Sequence, residues 1–408
     1  MDMGIKLAGI PRDADYRYEV IFRAYKWDPQ VGDSNTIARH ALLMDADTAR
    51  QLEVWAEQLS EETMRMEEAL IDRPALYKKL GFPKETRKAL EKMTGYGRDK
   101  NIRLMRFDFH PTTAGWAISE VNSDVPGGLA EASSLPVLAA RYFEGYAPAK
   151  NTADALLQAF RDKIPAGGSI AFVHATSYAD DRQVMQFLGD SVSAAGYRAL
   201  YAAPDHIVWE GNKAQGIDAI VRFYPLEWLA NLPKKSAWTK YFNSETPACN
   251  HPAAMLTQSK RLPLVWDELG VELPAWKTLL PQTGDPKSVK QPSEDWVLKP
   301  ALGRVGEGIA IRGTMPEKER RQIAKAARRE PQNWVAQRKF ESLPLTSETG
   351  EIYHLCVGVF TVDGKSAGFY GRINPYPRMD ANAKDIAILI NCRGEACLAR
   401  PNTERTPK

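Results

Sequence analysis

Arg106, Asp108, Glu120 and Asn122 are spaced so that they could work together, each pair lying two residues apart in a short alternating run. Leu104–Phe109 and Trp116–Asn122 flank a Pro/Gly-containing turn and read as a β-hairpin. Residues two apart in a strand share a face, so Arg106 joins Asp108 on one strand and Glu120 joins Asn122 on the next. Met105, Phe107 and Phe109 face the other way, with Ala117, Ser119 and Val121 alternating similarly on the partner. If the register brings the two pairs to one side, a guanidinium, two carboxylates and an amide converge. Carboxylate and amide oxygens are hard ligands that suit Mg²⁺, which takes one or two carboxylates together with substrate phosphates. Arg106 would present a planar fork to a carboxylate or phosphoryl group. The alternative is a salt-bridged hairpin face in water, where such side chains mostly sit. The turn-rich loop Asn122-Ser-Asp-Val-Pro-Gly-Gly-Leu that follows is a common setting for functional residues.

A second candidate is Trp296-Val-Leu-Lys-Pro300 followed by Ala301-Leu-Gly-Arg-Val-Gly-Glu-Gly308 and Ile309–Arg312, a strand, glycine loop, strand segment. It lacks the G-x-x-x-x-G-K-[ST] of a P-loop and the helix that should follow. A glycine loop closing a hairpin can instead cover phosphates with backbone N–H groups. Lys299 would meet a phosphate there as a point charge. An ordinary hairpin accounts for Gly306 and Gly308 at positive φ, but not for a lysine in an apolar strand.

These pieces need elements to hold them. Asp45 and Asp47 are N-cap candidates for a helix over Thr48–Leu70; shorter helices follow at Pro74–Leu80, Lys84–Met93 and Glu131–Tyr146. Helical runs at Asp154–Lys163 and Asp181–Ala195 alternate with strand-like Ser169–His174, Arg198–Tyr201 and Ala219–Tyr224, which predicts βαβ topology and a parallel sheet. His174 and Asp180–Arg182 follow a strand end, where ligands of open α/β sheets bind, although a helix start explains Asp180 and Asp181 equally well. Residues 253–270 read as a helix carrying Lys260 and broken at Pro263. A Pro-rich linker spans roughly 281–293. Pro316–Arg329 reads as a basic helix with a solvated face, and Trp334–Gln337 as a strand. Ile352–Thr361 and Lys365–Gly371 form a hairpin across Asp363-Gly364, followed by Arg372 and Asn374.

The 408 residues carry a formal charge of +3, too small to indicate nucleic-acid binding. Cys249, Cys356, Cys392 and Cys397 have neither metal-ligand nor disulfide-framework spacing, which fits a reducing cytoplasm. No run is long and apolar enough for a membrane helix, and the charged N-terminus does not read as a signal peptide.

The ordered set RFDF…EVNSDVPGGLAE, Lys260 after Ser259, VLKPALGRVGEGI, WVAQ and YGRINP resembles the glutathionylspermidine synthase family, as does the upstream run Tyr25-Lys-Trp-Asp-Pro-Gln-Val-Gly. The resemblance covers about residues 16 to 395. It implies an α/β fold of the ATP-grasp type in permuted order, with ATP and Mg²⁺ as cofactors and small-molecule carboxylate and amine substrates. Asp108, Glu120 and Asn122 would bind Mg²⁺ bridging the ATP phosphates, and Arg106 would steady the transferring phosphoryl group. Lys260 and Lys299 would hold phosphates beneath Gly303, Gly306 and Gly308; Gln337 would border the adenine, and Arg372 would complete the clamp. The family's bifunctional members carry an N-terminal cysteine-amidase domain, for which there is no room before residue 16, so amide hydrolysis is not expected. Asp124, Glu131, His174 and Tyr178 lie where substrate contacts could fall. The expected organisation is a mostly helical 1–100, the metal-binding hairpin and following helix at 101–150, a small α/β domain at 151–250, a nucleotide-binding region at 251–395 and a tail at 396–408. The function implied is an ATP-dependent amide ligase; the alternative is a module that binds ATP without ligating anything.

Overall fold

The structure, a computed structural model, describes residues 3–289, 295–303, 306, 308–311 and 314–392. The expected tail at 396–408, positions 290–293 of the linker, positions 304, 305 and 307 of the glycine loop and position 312 of its return strand lie outside the described residues.

The chain opens with strand Ile5–Gly9 (β1), helix Asp13–Arg23 (α1), strand Ile37–Met44 (β2) and the long helix Ala46–Ile71 (α2). Helix Lys84–Leu90 (α3) precedes the hairpin strands Leu104–Thr112 (β3) and Gly115–Asn122 (β4), then helix Leu129–Ala139 (α4). The middle alternates Thr152–Lys163 (α5), Ser169–His174 (β5), Ala179–Ala194 (α6), Arg198–Ala202 (β6) and Ala219–Phe223 (β7). Next come Ala254–Gln258 (α7), Pro274–Leu279 (α8), Trp296–Pro300 (β8) and Glu317–Arg329 (α9). Trp334–Arg338 (β9), Ile352–Val362 (β10), Lys365–Asn374 (β11) and Lys384–Asn391 (β12) complete the set.

A large mixed sheet runs β1-β2-β12-β11-β10-β3-β4. Helix α2 covers one face with Leu52, Ala56 and Leu59, and Met105, Phe107 and Phe109 meet that layer, fully buried. The opposite face of β3 carries Arg106, Asp108 and His110, also buried, as the strand's alternation requires. The expected βαβ unit is present: β7, β5 and β6 are parallel neighbours, with α6 connecting β5 to β6 and α5 leading into β5. A third, antiparallel sheet pairs β8 with β9 from Trp296↔Arg338 to Pro300↔Trp334.

Several local expectations need correction. The first hundred residues contribute β1 and β2 to the large sheet as well as helices. Pro74–Leu80 is a single 3₁₀ turn, Pro74–Leu76. Asp45 occupies the N-cap position of α2 without a side-chain cap bond. The helix expected over 253–270 ends at Gln258, so Lys260 is not on a helix. The cause is local competition for backbone groups. The Ser259 hydroxyl donates to the Leu80 carbonyl, the Lys260 N–H donates to the Ala301 carbonyl, and Pro263 cannot continue a helix. The return strand after the glycine loop is a single bridge, Leu298↔Ala310, among the described residues. Arg372 and Asn374 lie inside β11, since the Asp363-Gly364 hairpin runs on to Asn374. At that turn Asp363 and Gly364 have φ of 48° and 84°, as a type I′ turn requires.

Candidate active site

The hairpin register is Arg106↔Asn122 and Asp108↔Glu120, so the four residues come together on one face. A bulge after Asp108 then pairs Phe109 with Ile118. This corrects the expected alternation on β4, for Ile118 and Val121 join the core and Ser119 is the extra residue. The displaced Ser119 carbonyl accepts from Lys299 Nζ at 3.1 Å, and its hydroxyl lies 3.0 Å from His110 Nε2.

Arg106 grips Asp108 with two bonds, Nε to Oδ1 at 2.7 Å and Nη2 to Oδ2 at 2.9 Å. Asn122 Nδ2 donates to Asp108 Oδ2 at 3.1 Å, and Arg372 Nη2 stands 3.9 Å from the same oxygen. Burial pushes the Asp108 carboxyl up, yet the two guanidiniums hold it below the usual carboxylate range. Glu120 behaves likewise: burial opposes ionisation, while Lys260, 2.8 Å from Oε2, favours it. Lys260 Nζ also donates to the Gly303 carbonyl at 2.7 Å, tying the start of the glycine loop to the hairpin. Lys299 donates to Gln337 Oε1 at 2.6 Å, and burial pushes its ammonium down to about 8. Gly306 and Gly308 have φ of 68° and 66°, a region that favours glycine, and a Cβ on Gly306 would strike the Met379 carbonyl at 2.4 Å.

Four basic side chains, Arg106, Lys260, Lys299 and Arg372, thus surround two carboxylates, which leaves surplus positive charge in a largely buried place. Arg372 Nε is buried without a hydrogen-bond partner. An unpaired guanidinium donor is expensive to bury, so this one is set up for an anion. Cysteine chemistry is not supported at this site. Cys356, directly across from Arg372, is a free buried thiol that burial pushes up to about 12. His110 is held neutral by burial, pushed down to about 4.

Among the described residues no group of three or more His, Cys, Asp and Glu side chains is placed to hold a metal alone. Two ionised carboxylates and the Asn122 amide nevertheless fit a hard cation that takes its remaining ligands from phosphates and water.

Two glycines that sequence reasoning missed shape the site. Gly358 on β10 pairs with Asp108 on one side and Tyr370 on the other. A Cβ there would lie 2.6 Å from Arg106 Cδ, so the bare backbone lets Arg106 cross the strand toward Tyr370. Gly128, at φ 85°, leaves room for the Tyr370 ring. For Gly358 the signal available in the sequence was an isolated glycine within a strand-like run, a mark of close approach.

The four candidate substrate contacts divide. Asp124 is wholly buried, paired with Arg222 and accepting from the Leu226 N–H at 3.0 Å, which is a structural role. His174 is buried at the end of β5, its Nδ1 3.1 Å from the Phe172 carbonyl. Asp180 and Asp181 occupy the first turn of α6, and Tyr178 is exposed. Glu131 lies in the first turn of α4, facing Lys26.

The large mixed sheet, the smaller parallel unit and a largely buried cluster of cations tied to Gly303 fit an ATP-grasp type of architecture. The glutathionylspermidine synthase preATP-grasp family profile matches residues 10–380, and the chain belongs to that family. Of solved structures, a glutathione synthetase-like effector from Globodera pallida in its apo form is similar with a TM-score of 0.63 at 12% identity, covering 93% of this chain and 96% of that one. A candidate gamma-glutamylcysteine synthetase from Methylobacillus flagellatus shows a TM-score of 0.43 at 12% identity, covering 81% and 88%. No curated protein matches the sequence. No helix among the described residues is long and apolar enough to cross a membrane.

Proposed function

We propose that the protein is an ATP-dependent carboxylate–amine ligase that forms an amide through an acyl phosphate and releases ADP and phosphate. The observation that carries this reading is the surplus of four cations over two carboxylates in the largely buried place at the hairpin. A triphosphate would satisfy that surplus, and the carboxylates would hold the metal that accompanies it. The acid is a peptide or amino acid and the amine a polyamine or amino acid, as the family name and the glutathione synthetase-like neighbour suggest. Cys249 and Cys356 are buried free thiols while Cys392 is disulfide-bonded, so the cysteines favour neither a reducing nor an oxidising compartment.

A carboxylate is a poor electrophile, so its oxygen attacks the terminal phosphorus of ATP, ADP leaves, and an amine then displaces phosphate from the acyl phosphate. Arg106 and Arg372 stabilise the phosphoryl group as charge spreads over its oxygens, and Lys260 and Lys299 hold the other phosphates. Asp108, Glu120 and Asn122 would hold Mg²⁺, which when bound neutralises charge developing on the phosphates. Gln337 orients Lys299 from β9 and borders the adenine. The nucleotide site draws on 101–150 and 251–395, beside the α/β unit at 151–250 and the helical elements of 1–100.

Lys299→Met tests the phosphate assignment. Loss of a charge-assisted contact is worth about 1.5–3 kcal/mol, so nucleotide affinity falls roughly ten- to hundredfold by calorimetry. An unchanged affinity counts against the assignment. Proton linkage gives a second readout. The Lys299 ammonium sits at about 8 in the folded protein against an ordinary 10.5. Between those values the unfolded chain holds a proton that the folded one lacks, so the residue's contribution to stability rises with pH across that window. Denaturant titrations should show this rise in the wild type and its absence in Lys299→Met. Nucleotide affinity, which needs the ammonium, should weaken above about pH 8.

A further inference from the structure

The run Tyr25-Lys26-Trp27 has no part in the site as drawn so far, yet it reaches the floor beneath the arginines. The Lys26 ammonium lies between Glu131 Oε1 at 2.7 Å and Asp385 Oδ2 at 2.8 Å, and the lysine side chain is only 16% exposed. Tyr370 donates its hydroxyl to the other Asp385 oxygen at 2.6 Å. The ring of Tyr370 then supports both site guanidiniums, with Arg106 at 5.0 Å from its centroid and Arg372 at 5.8 Å. A continuous chain of contacts therefore runs from Lys26 through Asp385 and Tyr370 to Arg106 and Arg372. The run itself is anchored on α6. The Tyr25 hydroxyl donates to Asp190 at 2.5 Å and the Trp27 N–H donates to Gln183 at 3.0 Å.

What Lys26 prevents follows from the charges around it. Glu131 and Asp385 are both buried, and Glu131 Oε2 has no hydrogen-bond partner. Without Lys26 these acids would seek other cations, and two guanidiniums stand within their electrostatic reach: Arg106 acts on Glu131, and Asp385 acts on Arg372. Either arginine drawn to them would leave the place where it faces Asp108. Burial of an ion triad is not needed for stability, since apolar replacements are often neutral or better. We propose that Lys26 is a positioning residue, which by neutralising Glu131 and Asp385 keeps Tyr370 beneath Arg106 and Arg372 and leaves both arginines directed at the transferring phosphoryl group.

This rests on the ligase reading, and nucleotide selectivity separates the two. Calorimetry compares Mg²⁺ with AMP-PNP, which has a terminal phosphoryl group, against Mg²⁺ with ADP, which lacks it. Lys26→Met should bind AMP-PNP about tenfold more weakly, the size of one lost charge-assisted contact, while ADP affinity stays within about twofold. Lys26→Arg should restore the difference. A merely structural lesion would weaken both nucleotides together. If Lys26→Met does not fold, Tyr370→Phe, which keeps the ring and removes only the hydroxyl, should shift the same ratio in the same direction. Equal loss for both nucleotides, or none for AMP-PNP, overturns the positioning role. A wild type that binds neither nucleotide overturns the ligase reading, and the positioning role with it.

Discussion

Asp108→Asn is expected to abolish turnover and to destabilise the protein at the same time. The asparagine keeps the shape but not the charge that Arg106 grips at 2.7 and 2.9 Å and that Arg372 faces at 3.9 Å. Two guanidiniums would then share a buried place without a counter-charge. Removing one partner of a buried pair costs about 3–5 kcal/mol, and losing a metal carboxylate costs several more in the transition state, roughly a 10³-fold rate loss. The wild type should show the same dependence on acid titration. Because the folded carboxyl lies below its ordinary 3.8, the contribution of Asp108 is fully present above that value and is lost as the pH falls below it. Chemical denaturation and a steady-state assay, run on the same preparation, check both halves. Near-normal ATP-dependent activity would remove Asp108 from the metal site.

Gly358→Ala should separate those two effects. The added methyl would lie 2.6 Å from Arg106 Cδ and 2.9 Å from Arg106 Nε, so the side chain must leave its path across β10. Overpacking of this kind costs about 1–3 kcal/mol, which leaves the chain folded. Displacing a charge-stabilising group from the reacting centre costs about 10²–10³-fold in kcat. The expected variant is folded, binds nucleotide and turns over poorly. Wild-type kcat in Gly358→Ala would show that Arg106 acts without crossing the strand.

The site was legible where its geometry is local. Arg106 and Asp108, or Glu120 and Asn122, announce themselves by a spacing of two in a strand, and the strand's other face is visibly apolar. Strands β2 and β12 gave no such sign, because IARHALLM and KDIAILIN are nearly continuous buried runs that could equally be helix. Lys260 could be identified but not placed. The sequence from 253 to 270 has helical periodicity, and only the tertiary bonds of Ser259 and Lys260 to Leu80 and Ala301 end the helix early. Lys26 was invisible for another reason: its partner Glu131 lies 105 positions away, and Asp385 further still. The bulge at Ser119, which turns a carbonyl toward Lys299, is likewise set by pairing rather than by composition.

The central claim is the ligation, and ADP release tests it most directly. Mg²⁺-ATP would be supplied with glutathione, γ-glutamyl peptides or single amino acids, each crossed with spermidine and amino acids. The account predicts ADP only when one particular acid and one particular amine are present together, with the amide formed in equal amount. Calorimetry on the same preparation showing no Mg²⁺-ATP binding, or ADP release indifferent to acid and amine, would contradict it.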